Sequence, residues 1–183
     1  MPKLYLVRHA EPAAVWGAHP NPGLSPLGHS QALAVAARLA GFGARELLTS
    51  PLARCRETAR PTETATGHNA LVNEAVAEIP VPIAVSDHRA WLMAVMSGNW
   101  SDDHVEESLR TWRGGIGHAL ISLKRDTLIF SHFVAINTAV GLAMGSDKVT
   151  NFKPGHASVT ILESSKSTLT VVELGQEAVI TLA

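Results

Sequence analysis

Leu4-Tyr5-Leu6-Val7-Arg8-His9 places four apolar residues in a row near the start of the chain and ends them on a cation and an imidazole. A strand with one wet face alternates apolar and polar residues, whereas an unbroken branched and aromatic run reads as a strand covered on both faces. That predicts a sheet held between layers of helices, with Arg8 and His9 at the carboxyl end of one strand. The pattern returns at Thr127-Leu128-Ile129-Phe130-Ser131, a second buried strand, which His132 follows before a helix from about Val134 to Met144.

Between these two strands the chain alternates in type. Residues 11–24 carry Pro12, Pro20 and Pro22 and read as a loop. Ser25-Pro26 is a hydroxyl cap with proline at the first helical position, and the helix it opens is stopped by Gly41. Glu46-Leu47-Leu48-Thr49 is a short strand. Ser50-Pro51 repeats the cap signal for a helix carrying Arg54, Cys55 and Thr58, which Pro61 is expected to kink or end. From Leu71 to Val85 a strand-like start gives way to Pro80 and Pro82, and residues 90–100 are apolar and partly helical. Ser101-Asp102-Asp103 is expected to cap a helix to about Leu123, weakened by Gly114, Gly115 and Gly117. Ser158–Leu162 and Leu169–Glu173, split by a polar turn, form a hairpin at the sheet edge. The class is α/β: three layers, with a mostly parallel central sheet flanked by helices and a C-terminal hairpin. Residues 1–183 are read as one domain.

Composition narrows the partners. Of 183 residues 46% are hydrophobic, enough for a sizeable core, and 15 Lys+Arg against 16 Asp+Glu give a net charge of −1. No global basic field exists to hold nucleic acid or an anionic membrane, so any positive site is local. The first apolar stretch is too short for a signal peptide or a membrane span, and the single cysteine, Cys55, excludes an intrachain disulfide framework. The expectation is a cytoplasmic protein. The nine histidines, at 9, 19, 29, 68, 88, 104, 118, 132 and 156, never approach within ten residues of one another, so no paired metal-ligand motif is encoded locally. No metal and no cofactor are expected.

Ligands of an open α/β sheet bind beyond the carboxyl ends of its strands, where Arg8, His9 and His132 fall. Arg54, in the first turn of a helix that follows a strand ending at the same edge, joins them. Two arginine forks beside helix N-termini suit a phosphoryl group, and a histidine between two cations stays unprotonated and nucleophilic.

At these residues the chain resembles the histidine phosphatase superfamily, the phosphoglycerate mutase-like proteins with an Arg-His-Gly or Arg-His-Ala motif. The matches are Leu6-Val7-Arg8-His9-Ala10-Glu11, Leu24-Ser25-Pro26-Leu27-Gly28 with Gln31-Ala32, Thr49-Ser50-Pro51-Leu52-Ala53-Arg54-Cys55-Arg56-Glu57-Thr58-Ala59, and Ser131-His132. The resemblance implies that His9 becomes a phosphohistidine and that Arg8, Arg54 and His132 bind and polarise the phosphoryl oxygens. It implies a carboxylic acid about twenty residues past Thr58-Ala59 as proton donor to the leaving group. Glu78 stands there, with Glu74 as second choice.

The chain departs from the family in three places. Ile79-Pro80-Val81-Pro82 replaces the Gly-rich run that often follows the acid, Phe133 replaces the glycine that commonly follows the second His, and Pro12-Ala13-Ala14-Val15 replaces the polar residues found in mutases. The last speaks against a mutase. Trp91, Met93, Met96 and Trp100 either line a pocket or pack the excursion at about 79–118, which is expected to cover the substrate. Glu11 either supports the site or is an exposed loop charge, and Arg56 faces elsewhere on its helix. No Cys-x5-Arg loop surrounds Cys55, so it reads as a small helix residue. The implied function is metal-independent hydrolysis of a small-molecule phosphomonoester. Its rivals are a protein phosphohistidine phosphatase and a catalytically silent phosphate-binding module on the same fold.

Overall fold

In the computed structural model, which describes residues 1–15 and 18–178, the first apolar run becomes β1 (Lys3–Arg8). It is followed by α1 (Pro26–Ala40), β2 (Glu46–Thr49), α2 (Ala53–Thr66), β3 (Ala70–Val72) and a single 3-10 turn at Glu74–Val76. Then come α3 (His88–Ser97), α4 (Glu107–Ser122), β4 (Thr127–Ser131), α5 (Phe133–Met144), β5 (Val159–Ser164) and β6 (Leu169–Glu173). The strands form one sheet in the order β3-β2-β4-β1-β5-β6. Strands β3, β2, β4 and β1 run parallel, β5 pairs antiparallel with β1, and β6 pairs antiparallel with β5 at the edge. This is the expected three-layer α/β architecture.

Side chains of β1 part to opposite faces with the two-residue period of a strand. Leu4 and Leu6 pack with Ile129, Ile116 and Leu120 of α4, and Ile136 and Val140 of α5. Tyr5 and Val7 pack with Leu128, Phe130, Val35 and Leu39 of α1, and Cys55 and Ala59 of α2. Neighbouring strands β1 and β4 therefore send their following helices, α1 and α5, to opposite faces. The sheet opens a crevice at this divergence, and His9 and His132 are the first residues beyond the two strands.

Two helices differ from expectation at their boundaries. Helix α2 is capped by Leu52 without a side-chain bond; the Ser50 hydroxyl, two residues earlier, accepts from the Leu52 N–H at 3.3 Å and hydrogen-bonds His132 Nε2. It also passes through Pro61 to Thr66, where Gly67 ends it in the left-handed conformation. Interior proline costs about 3 kcal/mol, and the helix is held against that cost by tertiary packing. Its buried face, Arg54, Cys55, Thr58, Ala59 and Thr62, continues across the proline. Helix α4 starts at Glu107 rather than beside Ser101. The polar trio before it closes a turn: Asp102 accepts from the Asn99 N–H, and Ser101 donates to Asp147. The glycines of α4 do not break it, and Gly117 lies against Leu142.

From the stretch between β3 and β4, Ile79, Val95, Trp100, Val105 and Leu109 form a third cluster with Val134 of α5 and Val149, and Trp91 and Met96 pack against it; Met93 is exposed. Loop 11–24 is pinned to the first turns of α1. The Ser25 N–H donates to the Glu11 carbonyl, the Ser25 hydroxyl to the Glu11 carboxylate, and the Glu11 N–H to the Gln31 side chain. Gly28 lets this approach happen, since a Cβ there would stand 2.1 Å from the Glu11 carbonyl oxygen. Gly28→Ala is expected to lower stability by about 1–3 kcal/mol, read as a reduced urea midpoint at unchanged m-value. Among the described residues no helix is long and apolar enough to cross a membrane.

Candidate active site

The backbone beyond the strands brings the candidate side chains into one crevice. The His9 N–H donates to the Ser131 carbonyl at 2.9 Å, joining the ends of β1 and β4. Thr58 accepts from the Ala10 N–H at 3.0 Å and donates to the Arg54 carbonyl at 2.6 Å, so one hydroxyl ties the loop after His9 to the first turn of α2. His132 is the extended N-cap residue of α5. The segment after β3 is fastened by the Ser131 hydroxyl, which donates to the Val76 carbonyl at 2.7 Å. Two residues on, the Glu78 carboxyl accepts from the N–H groups of Ile79 and Val134, the latter in the first turn of α5.

His9 is 6% exposed. Its Nδ1 lies 2.8 Å from the Ala10 carbonyl; a carbonyl only accepts, so Nδ1 carries the proton and neutral His9 has a free lone pair on Nε2. Burial, and then the Arg54 and Arg8 guanidiniums, hold His9 well below the usual imidazole range, with the Ala10 carbonyl opposing them. His132, fully buried, has its ring centroid 5.2 Å from that of His9 and shares a 2.7 Å hydrogen bond between Nε2 and the Ser50 hydroxyl. It too is held well below its ordinary value, by burial first and then by His9, Arg54 and Arg8. Burial pushes the Glu78 carboxyl up, against the pull of the Ile79 N–H, Arg54 and Arg8.

Both guanidiniums keep donors in reserve. Arg54 is 6% exposed, and its guanidinium meets no hydrogen-bond acceptor among the described residues. Arg8 donates from Nη1 to the Pro154 carbonyl at 2.7 Å and from Nη2 to His156 Nε2 at 3.1 Å, while its buried Nε has no partner. Its guanidinium lies 5.3 Å from the centre of the Phe133 ring. Burial lowers the Arg8 pKa to about 10, Glu78 opposing and Arg54 adding to the shift, so it remains a cation at neutral pH. A buried donor left without an acceptor, as Arg8 Nε is, calls for an anion, because desolvating a charged donor unpaired is costly. Phosphate offers three oxygens to two guanidinium forks and the N-terminus of α5. Among the described residues no three His, Cys, Asp or Glu side chains gather in a metal-binding arrangement.

Arg8, His9, Arg54, Glu78 and His132, all singled out from the sequence, thus face one another. Glu74 stands exposed at the start of the 3-10 turn. Cys55 is fully buried with its thiol 3.3 Å from His132 Nε2, and burial pushes its pKa far up, so no thiolate forms. Glu11 is spent on Ser25 and the loop backbone, and Arg56 is exposed. The sequence reading missed His156, whose ring centroid is 5.8 Å from that of His9. A search confined to residues following parallel strands passes it over, because it precedes β5. An antiparallel strand starts at the edge where its parallel neighbours end, as the pairing of Val7 with Val159 shows.

A family model described as "Histidine phosphatase superfamily (branch 1)" matches residues 4–177. No curated protein matches the chain. Among solved structures it is similar to the phosphoserine phosphatase of Entamoeba histolytica in complex with 3-phosphoglyceric acid, with a TM-score of 0.76 at 20% identity over 96% of this chain and 98% of that one. It is similar to a mycobacterial glucosyl-3-phosphoglycerate phosphatase complexed with inorganic phosphate, TM-score 0.76 at 19% identity over 97% and 98%. A putative alpha-ribazole-5'-P phosphatase from Escherichia coli gives a TM-score of 0.74 at 18% identity over 98% of each chain.

Proposed function

Since this chain belongs to the histidine phosphatase superfamily, we propose that it is a metal-independent phosphatase that hydrolyses a small-molecule phosphomonoester through a phosphohistidine at His9. The observation that carries this reading is the neutral His9, its Nε2 lone pair free, beside the buried Arg54, whose guanidinium meets no acceptor among the described residues, and Arg8, whose buried Nε has no partner. Arg8, Arg54 and His132 bind the phosphoryl oxygens. The His9 Nε2 attacks phosphorus, the bond from phosphorus to the ester oxygen breaks, and the departing oxygen takes the proton of the Glu78 carboxyl. A water then attacks the phosphohistidine and passes its proton to the Glu78 carboxylate. The P–N bond breaks, and inorganic phosphate leaves with His9 and Glu78 restored.

Glu78 must hold a proton at rest for this cycle. Its burial favours the neutral acid, and a bound phosphate dianion favours it further. Hydrolysis, not transfer to a second hydroxyl, fits the apolar Pro12-Ala13-Ala14-Val15 segment, which offers no polar side chain to retain a phosphorylated intermediate. The small net charge of −1 fits one small phosphate in place of a polyanion, and localisation in the cytoplasm completes the proposal.

The first assay is phosphate release from an aryl phosphate in buffer containing a strong chelator. Steady turnover, equal with and without the chelator, is expected. A wild-type protein inactive across aryl and alkyl phosphates would sink the reading, and activity abolished by the chelator would remove its metal-independence.

A further inference from the structure

His156 is absent from every motif that marks the site, yet it touches the phosphate-binding machinery. Its Nε2 lies 3.1 Å from Arg8 Nη2. A guanidinium only donates, so Nε2 is the acceptor and the proton of the neutral ring sits on Nδ1. Burial, with the Arg8 charge beside it, lowers its pKa to about 4, the Glu11 carboxylate opposing. The loop that presents it is built for the purpose. Ala157, with φ at 55°, is the sole non-glycine in the left-handed region among the described residues, a conformation that costs an alanine about 1 kcal/mol or more. From there its N–H reaches the carbonyls of Arg8 at 3.1 Å and His9 at 3.4 Å. The same loop supplies the Pro154 carbonyl to Arg8 Nη1.

Three groups therefore fix one guanidinium: Pro154 on Nη1, His156 on Nη2, and the Phe133 ring across its face. What they leave unpaired is Nε, buried and without a partner. We propose that His156 is a positioning residue of the phosphate site, a neutral acceptor that orients the Arg8 guanidinium so that its free edge, including Nε–H, meets a phosphoryl oxygen. Phe133 shares this task, which gives a use to the bulky residue found where relatives commonly carry glycine. The proposal rests on the reading of the crevice as a phosphate site, and it does not require turnover.

The test compares His156→Ala and His156→Gln with wild type, using inorganic phosphate titrated calorimetrically as the probe, thermal melting as a check of folding, and kcat and KM on an aryl phosphate. His156→Ala is expected to bind phosphate about tenfold more weakly, as for a lost hydrogen bond to a charged group, at a melting temperature near that of wild type. His156→Gln, which offers a neutral side-chain carbonyl at similar reach, is expected to recover most of that affinity. Unchanged phosphate affinity in His156→Ala overturns the proposal. So does equal loss in both variants with a matching fall in melting temperature, the mark of a structural role alone. A wild type that binds phosphate without hydrolysing esters defeats the proposed catalysis while the binding comparison still decides the role of His156. A wild type that binds no phosphate overturns both.

Discussion

On the proposed mechanism His9→Ala is expected to lose turnover by about 10⁴-fold or more, because no other group of the crevice among the described residues is placed to form the covalent intermediate. His132 is engaged by Ser50 and Cys55, and the Cys55 thiol stays protonated. Affinity for inorganic phosphate survives in this variant, since the Arg8 and Arg54 donors are untouched. The measurement pairs phosphate release with labelling: a quenched wild-type reaction carries acid-labile phosphate on His9, and the variant carries none. If His9→Ala kept more than a small fraction of activity, the nucleophile would have to be sought elsewhere.

Glu78→Gln is expected to lower the rate on alkyl phosphates by about 10²–10⁴-fold, the usual contribution of a placed general acid, whereas Glu74→Gln, on an exposed turn, is expected to change little. An aryl leaving group needs less protonation, so the loss is smaller with aryl phosphates. Phosphohistidine, with a better leaving group still, barely responds. A protein that turned over phosphohistidine fast and alkyl phosphates poorly, with or without Glu78, would be a protein phosphohistidine phosphatase. The pH profile carries the same information. Burial raises the Glu78 pKa, so the acid form persists above the ordinary carboxylate range and is lost as pH rises through the raised value. The wild-type rate on alkyl phosphates therefore falls on that alkaline limb, and Glu78→Gln removes the limb. Full activity in Glu78→Gln alongside an inactive Glu74→Gln would reverse the assignment.

Much of this molecule could be read without coordinates, for identifiable reasons. Strands β1 and β4 announce themselves because burial on both faces leaves no room for polar alternation. Arg8, His9 and His132 stand out because such runs end abruptly on them. Glu78 has no such mark: it lies in an irregular stretch after the 3-10 turn, and family likeness alone pointed to it. The misreadings share a cause, which is that one residue type serves two purposes. Ser50 looks like a helix cap but stands two residues before the cap and holds His132 and the Leu52 N–H, and Ser101 and Asp102 look like caps but close a turn on Asp147 and Asn99. Pro61 obeys local propensity less than it obeys the packing of α2 on the sheet. His156 stayed hidden because strand direction, which no local pattern encodes, decides which end of β5 faces the site.

The place of β1 in the sheet has a consequence for how the chain comes to be. Strand β1 is bordered by β4 and β5, which begin at residues 127 and 159. During synthesis the apolar β1 therefore waits more than a hundred residues with neither permanent neighbour available. Pairing over such sequence distances is slow and exposes a sticky edge meanwhile. By the same logic the proposed site is completed late: Arg8 and His9 are made 146 or more residues before the loop that steadies them. Shortened chains ending before β5 should emerge as aggregation-prone fragments, not as weak enzymes.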